Sequence, residues 1–135
     1  MIKKIHHVGI AVRNLEEALP FYRDVLQLPV ELSATLEEFK VRLAFLTAGE
    51  GKIELVEPLS PEVRSGRFLQ ERGEGLYHVA LETDDIVSEV ERFRSRGAEV
   101  VGEIFGDPGG TRGCYLRARG GVVWIELMQP GPPGS

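Results

Sequence analysis

The sequence predicts an α+β fold made of two similar halves, because two short motifs recur along the chain. HHVGIAV (residues 6–12) returns as YHVALET (residues 77–83), and IELVEP (residues 53–58) returns as IELMQP (residues 125–130). The first pair is offset by 71 residues and the second by 72. A repeat at a nearly fixed offset is the signature of a duplicated structural unit. Neither half is long enough for a convincing core alone, so we predict that they combine.

The first half is predicted to form a strand, a helix and three more strands. Residues 5–12 are rich in Ile and Val and predict the first strand. Asn14 is expected to cap a helix whose apolar residues share one face: Leu15, Leu19, Tyr22 and Leu26. Pro20 is expected to start a tighter second segment or to kink this helix. The other strands are predicted over residues 30–32, 41–46 and 52–57, with Gly49 and Gly51 turning the last pair as a hairpin.

A short linker helix over about residues 60–73 is predicted to join the halves. Ser60 and Pro61 supply its cap and first turn, and Gly73 ends it. The order of elements then repeats: a strand over residues 76–83, a helix capped by Asp84 or Asp85 and stopped by Gly97, and strands over residues 99–105, 113–117 and 122–128.

These elements make two tandem βαβββ modules, over about residues 3–58 and 75–129, within one domain of residues 1–135. Hairpins with helices on their outer face are expected to form one cupped, mainly antiparallel eight-stranded sheet around a metal site. The segment PGPPGS (residues 130–135) offers nothing to bury and is predicted to be a disordered tail.

Composition limits the kinds of partner. The formal net charge is −5 and Lys and Arg are scattered, which argues against nucleic acid or an anionic membrane as the main partner. No apolar run approaches the roughly 20 residues that span a bilayer. A single cysteine allows no internal disulfide, and the start MIKKIHH does not resemble a signal peptide. We therefore expect a cytoplasmic protein.

Four repeated residues indicate chemistry: His7 and Glu54 in the first half, and His78 and Glu126 in the second. Taken singly, a strand glutamate is more often a solvent-facing residue and a strand histidine a structural one. Recurrence of both types in the same order favours a shared site. Imidazole and carboxylate together suit one divalent ion such as Co, Ni, Mn, Fe or Zn. Four protein ligands on a six-coordinate ion would leave two positions open, as a catalytic site requires.

The chain resembles the vicinal-oxygen-chelate superfamily (glyoxalases, bleomycin-resistance proteins and dioxygenases), and within it the methylmalonyl-CoA epimerase family. The resemblance covers nearly all of residues 3–129. It rests on these motifs: HHVGIAV (residues 6–12), LEEALPFYRDVL (residues 15–26), KIELVEP (residues 52–58), SPE (residues 60–62) and FLQERGEGLYHVALETDDI (residues 68–86). The resemblance implies paired βαβββ modules around one metal, with His7, Glu54, His78 and Glu126 at the ligand positions.

The resemblance also implies an activity. A metal-dependent epimerase would interconvert the 2R and 2S forms of methylmalonyl-CoA through a metal-stabilised enolate. Glu54 and Glu126 are then candidates for the two proton-transfer groups as well as ligands. The partner would be an acyl-CoA, and analogy with the family suggests a homodimer.

Two segments depart from the epimerase pattern. Some epimerases carry a non-ligand glutamate on the strand before IEL, where this chain has KVRL (residues 40–43). The usual His-Pro-Lys before the last hairpin is replaced by Arg117, Ala118 and Arg119. Either arginine could hold a coenzyme phosphate or be a solvated turn residue.

Alternatives remain open on the same fold. A glyoxalase I-type lactoylglutathione lyase would use the same two-His, two-Glu set, a ring-cleaving dioxygenase would leave Glu54 idle, and a binding protein would sequester a small molecule without turnover. The loop GDPGGTRG (residues 106–113) lacks the lysine and the helix of a phosphate loop and is interpreted as a mobile loop. Cys114 is interpreted as a small core residue.

Overall fold

The computed structural model describes residues 1–118 and 124–132, and its eight strands form one sheet. The strands are β1 (Ile2–Ala11), β2 (Val30–Leu36), β3 (Val41–Ala48), β4 (Gly51–Pro58), β5 (Gly75–Thr83), β6 (Glu99–Gly106), β7 (Arg112–Arg117) and β8 (Trp124–Gln129). The helical segments are α1 (Leu15–Pro20), a π-helix (Phe21–Val25), α2 (Arg64–Arg72) and α3 (Ile86–Ser95). The strand order is β2-β3-β4-β1-β5-β8-β7-β6. The predicted α+β class and eight-stranded sheet are confirmed.

The chain divides into two compact units, residues 7–77 and residues 1–6 with the chain from His78 onward. In the first unit β1 runs parallel to β4, and β4 and β2 each pair antiparallel with β3. In the second unit β5 runs parallel to β8, and β8 and β6 each pair antiparallel with β7. The same βαβββ order therefore generates the same pairing twice. The single domain of residues 1–135 stays a prediction.

Each unit packs a helix against one face of its strands. The buried core of the first unit consists of Val12, Leu15, Ala44, Leu46 and Leu55. The buried core of the second consists of Ile86, Val90, Cys114, Leu116 and Leu127. Since successive side chains of a strand point to opposite faces, the residues between these core positions face away from the helices. That second face is where the repeated histidines and glutamates lie.

The N-termini of α1 and α3 follow the predicted capping chemistry. Asn14 Oδ1 accepts a hydrogen bond of 2.9 Å from the backbone N–H of Glu17, and Asp85 Oδ1 accepts one of 3.2 Å from that of Ser88. Each bond satisfies a donor that has no partner within the first turn of its helix. Gly97 has φ of 87°, which closes α3 in the left-handed region where glycine is unstrained. Asp85, rather than Asp84, is therefore the cap.

The tighter second segment expected after Pro20 is wrong, and the kink expected there as the alternative stays a prediction. The five residues that follow Pro20 form a π-helix, in which the Leu26 N–H bonds to the carbonyl of Phe21 at 2.9 Å. Proline has no N–H, so the usual bond four residues back is lost at this point. The following turn relaxes to bonds five residues back, which widens the helix.

The linker helix begins later than predicted. α2 starts at Arg64, and the preceding N-cap residue, Val63, makes no capping hydrogen bond with its side chain. The Ser60 hydroxyl instead accepts a hydrogen bond from the N–H of Glu62 at 3.1 Å, a turn that precedes the helix. A Cβ on Gly66 would lie within van der Waals overlap of the Ser60 carbonyl, so this turn packs directly on the helix. Gly73 ends α2 as predicted, with φ of 78°.

Several predictions concern residues outside the described part of the chain. These predictions concern residues 122 and 123 of the last predicted strand, Arg119, and residues 133–135 of the predicted tail.

The ionised carboxylate of Glu89 contributes to the free energy of unfolding through its hydrogen bonds. The residue is 5% exposed, and its carboxylate accepts hydrogen bonds from Arg92 Nη2 at 2.7 Å and from the Met1 amine at 3.0 Å. The bond from Arg92 is the main reason that the pKa of Glu89 falls from 4.5 to about 2. Because the folded state holds the ionised form, the stability this contributes is complete above about pH 4.5 and is lost as pH falls toward 2.

We expect Glu89→Gln to lower the free energy of unfolding at pH 7 by about 1–3 kcal/mol, since charged hydrogen bonds are lost from a buried group. The difference from wild type should shrink between pH 4.5 and pH 3, as measured by urea denaturation. Glu91→Gln, an exposed position on the same helix, should change stability by under about 0.5 kcal/mol. A deficit in Glu89→Gln that does not vary with pH would contradict this account.

Candidate metal-binding pairs

In the first unit, the register of β1 and β4 brings His7 and Glu54 together. His7 lies opposite Lys52, and Gly9 lies opposite Glu54. Residues two apart on a strand share a face, so the imidazole and the carboxylate project on the same side. His7 Nε2 is 3.4 Å from Glu54 Oε1. Both residues are buried.

The second unit repeats this arrangement. His78 lies opposite Trp124 and Ala80 opposite Glu126, which is the register of β1 and β4 over again. His78 Nε2 is 3.4 Å from Glu126 Oε1. His78 is buried, and the side chain of Glu126 is 12% exposed. The duplication seen in the sequence is therefore preserved as a repeated pair of side chains.

Small residues leave room for each pair. Gly9 and Ala80 lie on the same face as the histidines and directly opposite the glutamates. A long side chain at either position would occupy the face that the imidazole and the carboxylate share. The two residues sit at equivalent positions of the first repeated motif, so the sequence carried this signal.

An aromatic ring contacts the histidine of each pair, a feature that no sequence motif indicated. Phe45 lies opposite Glu54 and meets the His7 ring edge-on, with centroids 5.0 Å apart. Tyr115 lies opposite Glu126 and meets the His78 ring edge-on at 5.9 Å. Such edge-to-face contacts restrict the orientation of the imidazole. The rings are offset by 70 residues rather than 72, because Tyr115 and Glu126 are 11 residues apart in the sequence whereas Phe45 and Glu54 are 9 apart.

The donor atoms of each pair suit a transition-metal ion. At 3.4 Å the nitrogen and oxygen are farther apart than the 2.7–2.9 Å typical of a charge-assisted hydrogen bond. Two ligands held about 2.0–2.2 Å from one ion lie about 3.0–3.4 Å apart. His7, Glu54 and His78 are buried, and each offers one atom that could ligate a metal ion. The residues present therefore fit a divalent ion with nitrogen and oxygen ligands.

The two departures from the epimerase pattern have defined surroundings. Leu43 of β3 is buried opposite Val56, and β3 carries no acidic residue. The guanidinium of Arg117 lies 4.6 Å over the Trp124 ring, and its Nε donates to Glu99 at 3.1 Å. A role of Arg117 in holding a phosphate stays a prediction, and Arg119 lies outside the described residues.

The loop before β7 is a tight turn. The N–H of Thr111 donates to Asp107 Oδ1 at 3.0 Å, and the N–H of Asp107 donates to the Thr111 carbonyl at 2.9 Å. These bonds close a five-residue connection between β6 and β7. The expected mobility of this loop stays a prediction.

Cys114 is a core residue, as predicted, since it is fully buried among apolar side chains of the second unit. Burial raises the pKa of its thiol to about 11, and the nearby negative charge of Glu126 adds to this effect.

We expect Cys114 of the native protein to resist labelling by a disulfide reagent at pH 8, because the thiolate is the reactive form. In the protein unfolded in urea, the same thiol should react with one equivalent of the reagent. Rapid labelling of the native protein, at the rate of free mercaptoethanol, would show that the thiol is accessible.

Comparison with known protein sequences identifies relatives over most of the chain. Residues 6–115 match the family model described as the glyoxalase/bleomycin resistance protein/dioxygenase superfamily. The mitochondrial methylmalonyl-CoA epimerase of Mus musculus is 39% identical over 132 residues, covering 93% of this chain and 72% of the mouse protein. The uncharacterized protein YqjC of Bacillus subtilis is 34% identical over 140 residues, covering 96% and 94%.

Solved structures share the fold. A variant of methylmalonyl-CoA epimerase from Streptomyces coelicolor, in complex with 2-nitronate-propionyl-CoA, superposes with a TM-score of 0.90 at 29% identity. The match covers 100% of this chain and 99% of that one.

Proposed function

This chain belongs to the glyoxalase/bleomycin resistance protein/dioxygenase superfamily, and on that premise we propose that it is a metal-dependent epimerase that interconverts the 2R and 2S forms of methylmalonyl-CoA. The observation that carries the proposal is the His–Glu pair, which recurs in both units with the same register and the same 3.4 Å separation. The similarity to methylmalonyl-CoA epimerases supports the substrate, an acyl-CoA.

The proposed metal ligands are His7, Glu54, His78 and Glu126, which would hold one divalent ion of the Co, Ni, Mn, Fe or Zn group. Such an ion, when bound, would draw electron density from the substrate carbonyl oxygen and so acidify the neighbouring α-proton. Burial of the histidines keeps competing water away from their ring nitrogens. The edge contacts from Phe45 and Tyr115 restrict the orientation of the two rings.

We assign the two proton transfers to Glu54 and Glu126. One carboxylate oxygen takes the α-proton from carbon, and the other carboxylic acid returns a proton to the opposite face of that carbon. Glu57 on β4 is otherwise engaged, since it accepts from the Leu15 N–H at 2.8 Å.

In the described residues of β3, β4, β7 and β8, Glu54 and Glu126 are the acids on the face that carries the histidines. Glu82 of β5 lies on that face as well, opposite Met128. It is, however, four residues beyond His78 along its strand, whereas Glu126 lies 3.4 Å from the His78 ring. Acid–base catalysis of this kind contributes about 10²–10⁴-fold in rate.

Other features of the proposal remain predictions. These are the homodimer, the cytoplasmic location and the absence of nucleic-acid or membrane partners. None of the helices in the described part of the chain has the length and hydropathy needed to span a membrane.

The metal site can be tested without substrate. We expect the metal-free protein to bind one equivalent of Co²⁺ in isothermal titration calorimetry. His7→Ala and Glu126→Ala, from different units, should each weaken binding by at least about tenfold, since each removes a ligand. Glu99→Ala, an exposed acid, is the matched control and should bind as wild type does. Full affinity in either ligand variant would remove that residue from the site.

The reaction can be tested by isotope exchange. We expect the Co²⁺-loaded protein to exchange the α-proton of methylmalonyl-CoA for deuterium in D₂O, as followed by proton NMR. Glu54→Gln and Glu126→Gln should each lower the exchange rate by about 10²-fold or more, because each removes one proton-transfer group.

Wild-type protein with bound metal and no exchange above the uncatalysed rate would overturn the epimerase assignment. The hemithioacetal of methylglyoxal and glutathione would then test the lyase alternative. Failure with both substrates, in a protein that binds an acyl-CoA, would favour the binding-protein alternative.

A further inference from the structure

Gly113 of β7 leaves a space that two other side chains fill. A Cβ built on this residue would lie 2.7 Å from Phe105 Cζ and 3.2 Å from Glu126 Oε2. The first distance is shorter than real Cβ contacts allow, and the second is tighter than most of them. The φ of Gly113 is not among the positive values. Glycine is therefore needed here for its lack of a side chain and not for its backbone conformation.

A bulge in β6 orients the Phe105 side chain toward this space. The pairing of β6 with β7 passes from Val101 opposite Tyr115 to Phe105 opposite Gly113, so four steps on β6 match two on β7. Gly102 lies within the bulge and has φ of 78°. Such irregularities redirect a side chain at a defined position. The Phe105 ring consequently lies across Gly113 and stacks on Tyr115, with centroids 5.8 Å apart and an interplanar angle of 23°.

The same space fixes the orientation of the Glu126 carboxylate. Oε1 faces His78 Nε2 at 3.4 Å, whereas Oε2 lies over the bare Cα of Gly113. A methyl group at position 113 would push Oε2 away and turn Oε1 with it, because the two oxygens belong to one rigid planar group. The tip of the Phe105 ring would be displaced at the same time, at the cost of its stacking on Tyr115.

In the first unit, whose residues 7–77 are all described, a leucine occupies the position equivalent to Gly113. Gly113 lies opposite Met128, and the equivalent residue of β3 is Leu43, which lies opposite Val56. Leu43 is buried. The two glutamates are thus equivalent in register but differ in what supports them.

We infer that Gly113 and Phe105 form a positioning device for Glu126 that its repeat mate Glu54 lacks. Gly113 leaves the space into which the Phe105 ring packs. The packed ring and the Cα of Gly113 together hold the carboxylate toward His78. Neither residue is a catalytic group; both act through Glu126. The inference rests on the proposed function for the ligand and the reaction, but the placement of the ring and the carboxylate can be measured without either.

The test compares Gly113→Ala with Gly106→Ala, where a Cβ would meet its nearest atoms at 3.8 Å. We expect Gly113→Ala to weaken Co²⁺ binding by about tenfold or more in calorimetry and to change the near-UV circular dichroism of Trp124, the single tryptophan, whose ring centroid lies 6.1 Å from that of Tyr115. In the deuterium-exchange assay, kcat of Gly113→Ala should fall by a larger factor than its KM rises. Gly106→Ala should match wild type in all three.

Double substitution identifies the route of the effect. Phe105→Leu removes the ring tip and should weaken Co²⁺ binding by a few-fold. Gly113→Ala combined with Phe105→Leu should bind Co²⁺ more tightly than Gly113→Ala alone, because the ring no longer competes with the methyl group, although the contact of that methyl group with Glu126 Oε2 remains. Wild-type Co²⁺ affinity in Gly113→Ala, or a double variant no better than Gly113→Ala, would overturn the inference. If Gly113→Ala does not fold, wild-type affinity in Phe105→Leu would overturn it as well.

A crystal structure separates the two proposals. In Gly113→Ala the Phe105 ring should leave position 113, and the distance from His78 Nε2 to Glu126 Oε1 should lengthen, whether or not the protein epimerises any thioester. An unmoved ring and carboxylate would refute the positioning role alone. If the displacement is present in Gly113→Ala but the wild-type protein exchanges no α-proton, the epimerase assignment alone is refuted.

Discussion

The register of one parallel strand pair, formed once in each unit, is the constraint on which the rest of the structure depends. In β1 with β4 and in β5 with β8, the histidine lies opposite a residue two places before the glutamate. That offset puts an imidazole and a carboxylate on one face, 3.4 Å apart. A slip of one residue would turn each glutamate into the apolar core under its helix. Burial of an unpaired carboxylate there would cost several kcal/mol.

The same strands that carry the acids also prevent the slip. Leu55 and Leu127 each follow a repeated glutamate by one residue, face the helix and are fully buried. Moving either leucine to the other face would expose it and forfeit about 2 kcal/mol of hydrophobic stabilisation. Core packing thus fixes the register, and the register fixes the site. A polar pair that is unfavourable to bury is held in place by its apolar neighbours in sequence.

Much of this architecture could be predicted because the amino-acid sequence repeats at a nearly fixed offset. The repeat indicated the order of helices and strands along each half of the chain, and the two His–Glu sets followed from matching offsets. The errors arose where hydrogen bonding, rather than pattern, decides. Pro20 widens its helix because the bonds shift to five residues back, and Ser60 uses its hydroxyl in a turn instead of a cap. The convergence of all four proposed ligands on one ion stays a prediction.

The residues that support the site were hidden for a different reason. Tyr115 is the counterpart of Phe45, but the longer connection before β8 shifts it out of the common offset. Gly113 carries no periodic or motif signal at all, because its role is the absence of atoms where Phe105 and Glu126 meet. Space of this kind exists only once strands are paired and side chains placed.

The difference between the two halves has a chemical consequence. In the proposed epimerisation, one proton would leave one face of a carbon and another would be returned to the opposite face, so the two proposed acids would not be interchangeable in space. Duplication alone would supply two equivalent carboxylates. At the equivalent register position the first unit has Leu43, whereas the second has Gly113 with the Phe105 ring against it. Each glutamate therefore keeps the same 3.4 Å distance to its histidine in surroundings that differ between the units, because the strand carrying Leu43 has an aliphatic side chain where the strand carrying Gly113 leaves space for an aromatic ring.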